Sequence, residues 1–242
     1  SEMCIRDRDK AAGIVLELKP GAGEKVKEGY NLTLAENTTG NARKGTVTFT
    51  SERGAKKIVF LQFGINDIAG TYEATYSVYG DNDQLVEETK TFKLVQDAEN
   101  EELFYAEELS SIGGLVIPLK FNSETYQLSV FAGQYLGYIA SKGWYLYTVV
   151  TSEAGYVHAD AALAYSAIAE FDLDDEVVMP SFPFKDEKGF SFATSDGTIK
   201  SYLDGLEVYV FKSQSPSFSG GNALGYYDMF KNLSIKKVEL KE

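Results

Sequence analysis

Apolar side chains recur at every second position in run after run of this chain. That period suits a pleated strand and excludes an amphipathic helix over the same residues. Thr71 to Tyr79 shows it most plainly, with Tyr72, Ala74, Tyr76 and Val78 on one face. Tyr30 to Leu34 alternates in the same way, and in Gly45 to Thr50 the side chains of Val47 and Phe49 oppose those of Thr46, Thr48 and Thr50. Turn residues stand between the runs: Lys19-Pro20-Gly21, Gly80-Asp81-Asn82-Asp83 and Ser195-Asp196-Gly197. Proline presets φ, glycine supplies φ > 0, and Asp-Gly is a strong hairpin signal. Further strands are predicted at 14–18, 57–63, 88–95, 102–109, 115–121, 125–131, 144–151, 189–194, 198–202, 206–212 and 232–239. Strands this short and this regularly spaced imply an all-β chain built from a sandwich or a barrel.

One segment fits two periods. Val157, Ala161, Ala164, Ile168 and Phe171 share a helical face, while Val157, Ala159, Ala161, Leu163, Tyr165, Ala167, Ala169 and Phe171 share a strand face. Alanine favours helix over strand, so one helix is expected at 157–171.

Composition narrows the function classes. The chain carries 23 Lys+Arg against 36 Asp+Glu, a formal net charge of −13. An acidic balance without a basic patch argues against nucleic acid, whose phosphates are bound mainly by cationic side chains. With 44% apolar and 13% aromatic residues the chain is too hydrophobic to be disordered. No apolar run approaches the ~20 residues of a membrane-spanning helix. One His and one Cys are too few for a His/Cys metal site or a Cys-His dyad.

The N-terminus is read separately. Met3-Cys4-Ile5-Arg6-Asp7-Arg8 resembles the translation of a transposon mosaic end used in sequencing adapters, ATG TGT ATA AGA GAC AG followed by a purine. Residues 1–8 are therefore taken as an adapter artefact, and the rest as a truncated reading frame from metagenomic DNA. A missing signal peptide then says nothing about location. Cys4 falls inside the artefact, leaving the remainder without a thiol, a disulfide or a thiol nucleophile.

Asn37-Thr38-Thr39-Gly40-Asn41-Ala42-Arg43-Lys44-Gly45, the strand Thr46 to Thr50, and Lys57-Ile58-Val59-Phe60-Leu61-Gln62 resemble the C-terminal half of a BACON domain. The family pattern runs from an Asn-rich turn through an Arg and a Thr/Val strand to a final strand ending in Gln, here Asn37, Arg43, Thr46 to Thr50, and Gln62. The match covers about a quarter of the chain, and the residues from Asp9 to Ile14 are too few for the family's first strands. The resemblance implies an Ig-like β-sandwich, truncated here, in residues 9–66. A larger antiparallel β-sandwich or barrel domain is then expected over residues 67–242. It also implies export, usually as a lipoprotein at the outer-membrane surface of a gut-type Bacteroidota cell, and an association with glycan or mucin capture. The lipid anchor would lie in the missing N-terminus.

Candidate chemistry is sparse. His158 and Asp160 are the nearest approach to an acid–base pair, with no nucleophile signature beside them. Asp81-Asn82-Asp83, Glu87-Glu88 and Asp172-Leu173-Asp174-Asp175-Glu176 lack the glycine and terminal glutamate of an EF-hand and read as solvated turns. Ser219-Gly220-Gly221-Asn222 and Ser195-Asp196-Gly197 lack the Lys-Ser/Thr ending of a phosphate loop. The aromatics stand out. Tyr135, Tyr138, Trp144, Tyr145 and Tyr147 fall in one short stretch, and Tyr226-Tyr227 follows a glycine. Such rings stack on the C–H faces of sugars and bond through OH or NH, and they equally suit strand interiors. Trp144, Tyr145, Tyr147, Tyr226 and Tyr227 are the candidate ligand-binding residues, with Trp144 foremost because Ser141-Lys142-Gly143 would set it at a loop rim.

A non-catalytic glycan-binding or accessory protein of the cell surface is expected, with no catalytic residue, metal or cofactor. The alternative is a lipocalin-like carrier, whose Tyr72/Tyr76 face would line a cavity for a small apolar ligand.

Overall fold

A computed structural model describes residues 2–5, 14–19, 29–34, 40–51, 54–62, 64–171 and 179–238. Among them the protein is all-β: the regular elements are strands, apart from one 3-10 turn at Ile65–Asp67. The described residues divide at Ile68 into two compact units.

The first unit holds β1 (Glu2–Ile5), β2 (Ile14–Lys19), β3 (Gly29–Leu34), β4 (Arg43–Ser51) and β5 (Gly54–Gln62). β4 and β5 form an antiparallel hairpin from Arg43 opposite Gln62 to Ser51 opposite Gly54, and β2 pairs with β3. The segment read as an adapter artefact supplies β1, which pairs with β4. Such pairing uses main-chain groups that nearly any sequence carries. Asn37 to Thr39 of the family-like pattern, and the acidic stretch 172–176, lie outside the described residues.

In the second unit a hairpin of β6 (Gly70–Tyr79) and β7 (Leu85–Gln96) leads to β8 (Leu103–Glu107), β9 (Val116–Asn122) and β10 (Gln127–Phe131). Then come β11 (Tyr135–Ile139), β12 (Trp144–Ser152), β13 (Val157–His158), β14 (Ala164–Ile168), β15 (Glu170–Phe171) and β16 (Pro180–Pro183). β17 (Phe190–Thr194), β18 (Gly197–Ser201), β19 (Leu203–Phe211) and β20 (Ala223–Lys237) complete it. The large sheet runs β11-β12-β19-β20-β6-β7-β8-β9-β10-β14 and curls into a half-barrel. β16 pairs with the C-terminal part of β20, and just beyond it the Lys185 N–H donates to the Ser166 carbonyl at 2.9 Å, tying β14 to the same region. Between β10 and β11 the chain bends at Gly133, whose φ is +72°. A Cβ there would lie 2.4 Å from the Ala159 carbonyl oxygen, so glycine is needed twice over.

The predicted alternation carries through. Tyr72, Ala74 and Tyr76 of β6 are buried on the inner face, and Tyr72 packs against Phe92 and Phe182 at centroid distances of 5.8 and 6.3 Å. Ser195 and Asp196 form the two-residue turn of the β17–β18 hairpin, where Thr194 faces Gly197.

The expected helix at 157–171 is not formed. Those residues give β13, β14 and β15, with Gln127 to Phe131 of β10 pairing antiparallel to Ile168 to Ala164. Tyr165 and Ala167 point into the core while Ile168 is exposed. Pairing with β10 and burial of one face outweigh the small helix preference of alanine, which is a few tenths of a kcal/mol per residue in order of magnitude.

Candidate functional site

Three strands, β11, β12 and β20, carry the aromatic residues singled out from the sequence, and β19, which lies between β12 and β20, adds Tyr209 and Phe211. Residues directly opposite in antiparallel strands share a face. Tyr135 faces Tyr147, Tyr138 faces Tyr145, Tyr145 faces Phe211, Tyr147 faces Tyr209, and Tyr209 faces Tyr226. All these rings therefore lie on one side of the sheet. The ring contacts agree: Tyr138–Tyr145 at 4.6 Å, Tyr135–Tyr147 at 5.4 Å, Tyr147–Phe211 at 5.7 Å and Tyr209–Phe211 at 5.3 Å. Phe218, from the loop after β19, sets its edge against Tyr209 and Phe211, each at 5.4 Å.

This face has a base and a top. Tyr147, Val149 and Phe211 are its buried base, against which Tyr145 and Tyr209 pack half-buried. Tyr135, Tyr138 and Tyr226 stand above it, 51%, 49% and 51% exposed. Tyr147 is thus a foundation and not a contact surface. It is only 5% exposed, its hydroxyl donates to the Gln214 carbonyl at 2.7 Å, and burial pushes its pKa up.

Trp144 and Tyr227 fall on the other side. Trp144 is one residue out of step with Tyr145, so the strand period turns it to the opposite face. Tyr227 is the extra residue of a β-bulge, since Val208 faces Asp228 and Tyr209 faces Tyr226. The two rings meet edge to face at 6.4 Å, and the Lys142 ammonium sits 4.2 Å from the Trp144 ring centre. Trp144 does begin a strand directly after a turn, as the sequence suggests, but it is half-buried and one of its faces is occupied.

The other candidate positions serve structure. His158 Nε2 lies 3.3 Å from Ser152 Oγ, and its ring is enclosed edge-on by Phe190 and Phe192 at 4.9 and 4.6 Å. Burial lowers its pKa, with the Asp160 charge acting the other way. A serine beside an imidazole is the geometry of an activated nucleophile, but Ser152 is fully buried and its hydroxyl also donates to the Tyr156 carbonyl. Asp160 accepts from the Ala162 N–H and closes a turn. Asp81-Asn82-Asp83 forms the exposed β6–β7 turn, with the Gly80 N–H bonded to the Gln84 carbonyl. Among the described residues no three His, Cys, Asp or Glu side chains converge so as to hold a metal ion. Among the same residues no helix is long and apolar enough to cross a membrane.

A polar cleft of about 460 Å³ is lined by residues that include Tyr165, Asp186, Tyr202, Asp204 and Asn232. Its two aspartates are engaged in holding the fold. Asp186 accepts from the N–H groups of Lys188, Gly189 and Leu203, while Asp204 accepts from Thr151 Oγ1 at 2.6 Å and Lys231 Nζ at 2.8 Å. The half-barrel interior, bounded by Phe92, Ile117, Val130, Leu206, Leu233 and Ile235, leaves a cavity of about 10 Å³. That is room for about one water.

No protein-family model, curated protein or solved structure matches the chain. The fold and the aromatic face define it only as an all-β half-barrel protein with a tyrosine-covered sheet face.

Proposed function

We propose that this protein is a non-catalytic glycan-binding module displayed on a bacterial cell surface. Its ligand would be a neutral glycan, or the neutral stretches of mucin, laid across Tyr135, Tyr138, Tyr145, Tyr209 and Tyr226. The observation that supports this reading is the arrangement of those tyrosines on one strand face, with Tyr135, Tyr138 and Tyr226 about half-exposed and Tyr145 and Tyr209 packed on a buried base. Rings held by packing lose little conformational entropy when a sugar stacks on them, and each hydroxyl remains free to bond at the edge. A net charge of −13 disfavours sulfated or sialylated polymers at low salt. The family-like pattern of Arg43, Thr46 to Thr50 and Gln62 in the first unit supports the proposal of surface display. The carrier alternative has less support, because a cavity of about 10 Å³ admits no apolar ligand.

Affinity electrophoresis of the full chain through gels containing neutral polysaccharides tests the proposal. Retardation by at least one polymer is expected, with the double variant Tyr138→Ala/Tyr226→Ala losing about tenfold or more in affinity at an unchanged melting temperature. Hot-spot aromatics lose about 1–3 kcal/mol on truncation, so this is the expected scale. Retardation that survives the double variant would remove the tyrosine face from the reading.

A further inference from the structure

The geometry points to a second, distinct subsite next to this face: a pocket of about 210 Å³ that takes a single neutral pyranose, a chain end or a branch. The inference rests on the glycan-binding reading and adds where one sugar unit is gripped. Tyr226 belongs to both places, contributing to the exposed face and to the pocket wall. The bulge at Tyr227 brings the next ring into the same pocket, and Tyr79 supplies a third. Tyr226 and Tyr227 thus line the pocket as a pair.

The polar groups define the ligand class. Glu88 and Asp228 place two carboxylates in the wall, which excludes an anion. Lys90 lies in the same wall, its ammonium fixed by the carbonyls of Leu109 at 2.9 Å and Ser110 at 3.0 Å, which disfavours a second cation. A neutral ligand with several hydroxyls suits both signs at once. Asp228 already accepts from Ser110 Oγ, the Ser111 N–H and Ser111 Oγ, so it is held rigidly with about one acceptor position left. Lys90 keeps one N–H, and among the described residues Glu88 is bonded only by the Tyr76 hydroxyl at 3.4 Å. Glu88 is therefore the principal acceptor for sugar hydroxyls. At about 210 Å³ the pocket is smaller than the ~300–1,000 Å³ sites of drug-sized ligands, the scale of one sugar ring and not of a chain.

The test uses the full chain and four probes, the methyl glycosides of glucose, galactose, mannose and N-acetylglucosamine, followed by amide chemical shifts. At least one probe is expected to shift amides at 226–229 and around Glu88, and Glu88→Gln is expected to weaken that binding tenfold or more at an unchanged melting temperature. Glu124→Gln, at an exposed carboxylate outside both the pocket wall and the tyrosine face, should leave it within twofold. Absence of shifts at 226–229 with all four probes overturns the pocket, as does a titration unchanged in Glu88→Gln. The two readings fail separately: polysaccharide retardation without methyl-glycoside binding leaves the face and removes the pocket, and the converse result leaves the pocket and removes the face.

Discussion

Glu207 offers the sharpest quantitative test of the packing around β19. Its side chain is 3% exposed, opposite Val149 on β12 and Met229 on β20, and among the described residues its Oε2 accepts no hydrogen bond. Burial lifts its pKa from 4.5 to about 7, the Lys231 charge works against the rise, and Asp204 adds to it. The acid therefore holds its proton more tightly in the folded chain than in the unfolded one. Below pH 4.5 both states are protonated and no stability is lost. Between about 4.5 and 7 the unfolded chain releases the proton first, so stability falls as pH rises. Above 7 the loss is complete at about 3 kcal/mol, from 1.36 kcal/mol per pKa unit. Glu207→Gln keeps the shape and removes the charge. Melting curves followed by circular dichroism at pH 5 and pH 8 should show the variant near the parent at pH 5 and more stable at pH 8. For a domain of this size about 3 kcal/mol corresponds to a gain of roughly 6–12 °C. Comparing variant with parent at each pH cancels His158, whose lowered pKa makes stability fall in the opposite direction, as pH drops below 6.5. A variant less stable than the parent at pH 8 would refute the reasoning, because it would mean that ionised Glu207 is held favourably by Lys231.

Three further outcomes follow from the packing. Phe211→Ala removes the ring that joins Tyr147, Tyr209 and Phe218, and should cost about 3–5 kcal/mol in denaturant unfolding. A smaller loss than 1 kcal/mol would mean that the base of the face is not packed as described. Gly133→Ala should lower the melting temperature, through a positive φ and a Cβ placed 2.4 Å from the Ala159 oxygen; unchanged melting would show that the β10–β11 bend relaxes freely. Trp144→Ala should cost about 1–2 kcal/mol of stability, as expected for a half-buried ring, and leave polysaccharide retardation within twofold, because the indole lies on the face opposite the tyrosines. Loss of retardation at unchanged stability would make Trp144 a ligand contact after all.

Alternation by itself determined the strands that bury one clean face. The period of two in Thr71 to Tyr79 is also the period of the backbone pleat, so Tyr72, Ala74 and Tyr76 were legible as a core face without coordinates. The turn at Ser195 and Asp196 was legible for a local reason too, since glycine at 197 takes a φ of +127°. Tertiary pairing decided the rest. Ala164 to Ile168 became a strand because β10 offered a partner, an interaction between residues about 37 apart in the chain, as the Ser129–Ser166 hydroxyl bond illustrates. The first half of β20 was hidden because bulges break its alternation, leaving Tyr227 as an extra residue. The aromatic cluster shows the same division. Its residues were visible as a run of rings, but strand parity sent Trp144 to one face and Tyr145 to the other. Only the register of β12 on β19 and β20 joined Tyr145 and Tyr147 to Tyr209 and Tyr226, because a sheet face is assembled from residues that adjacency in sequence does not connect.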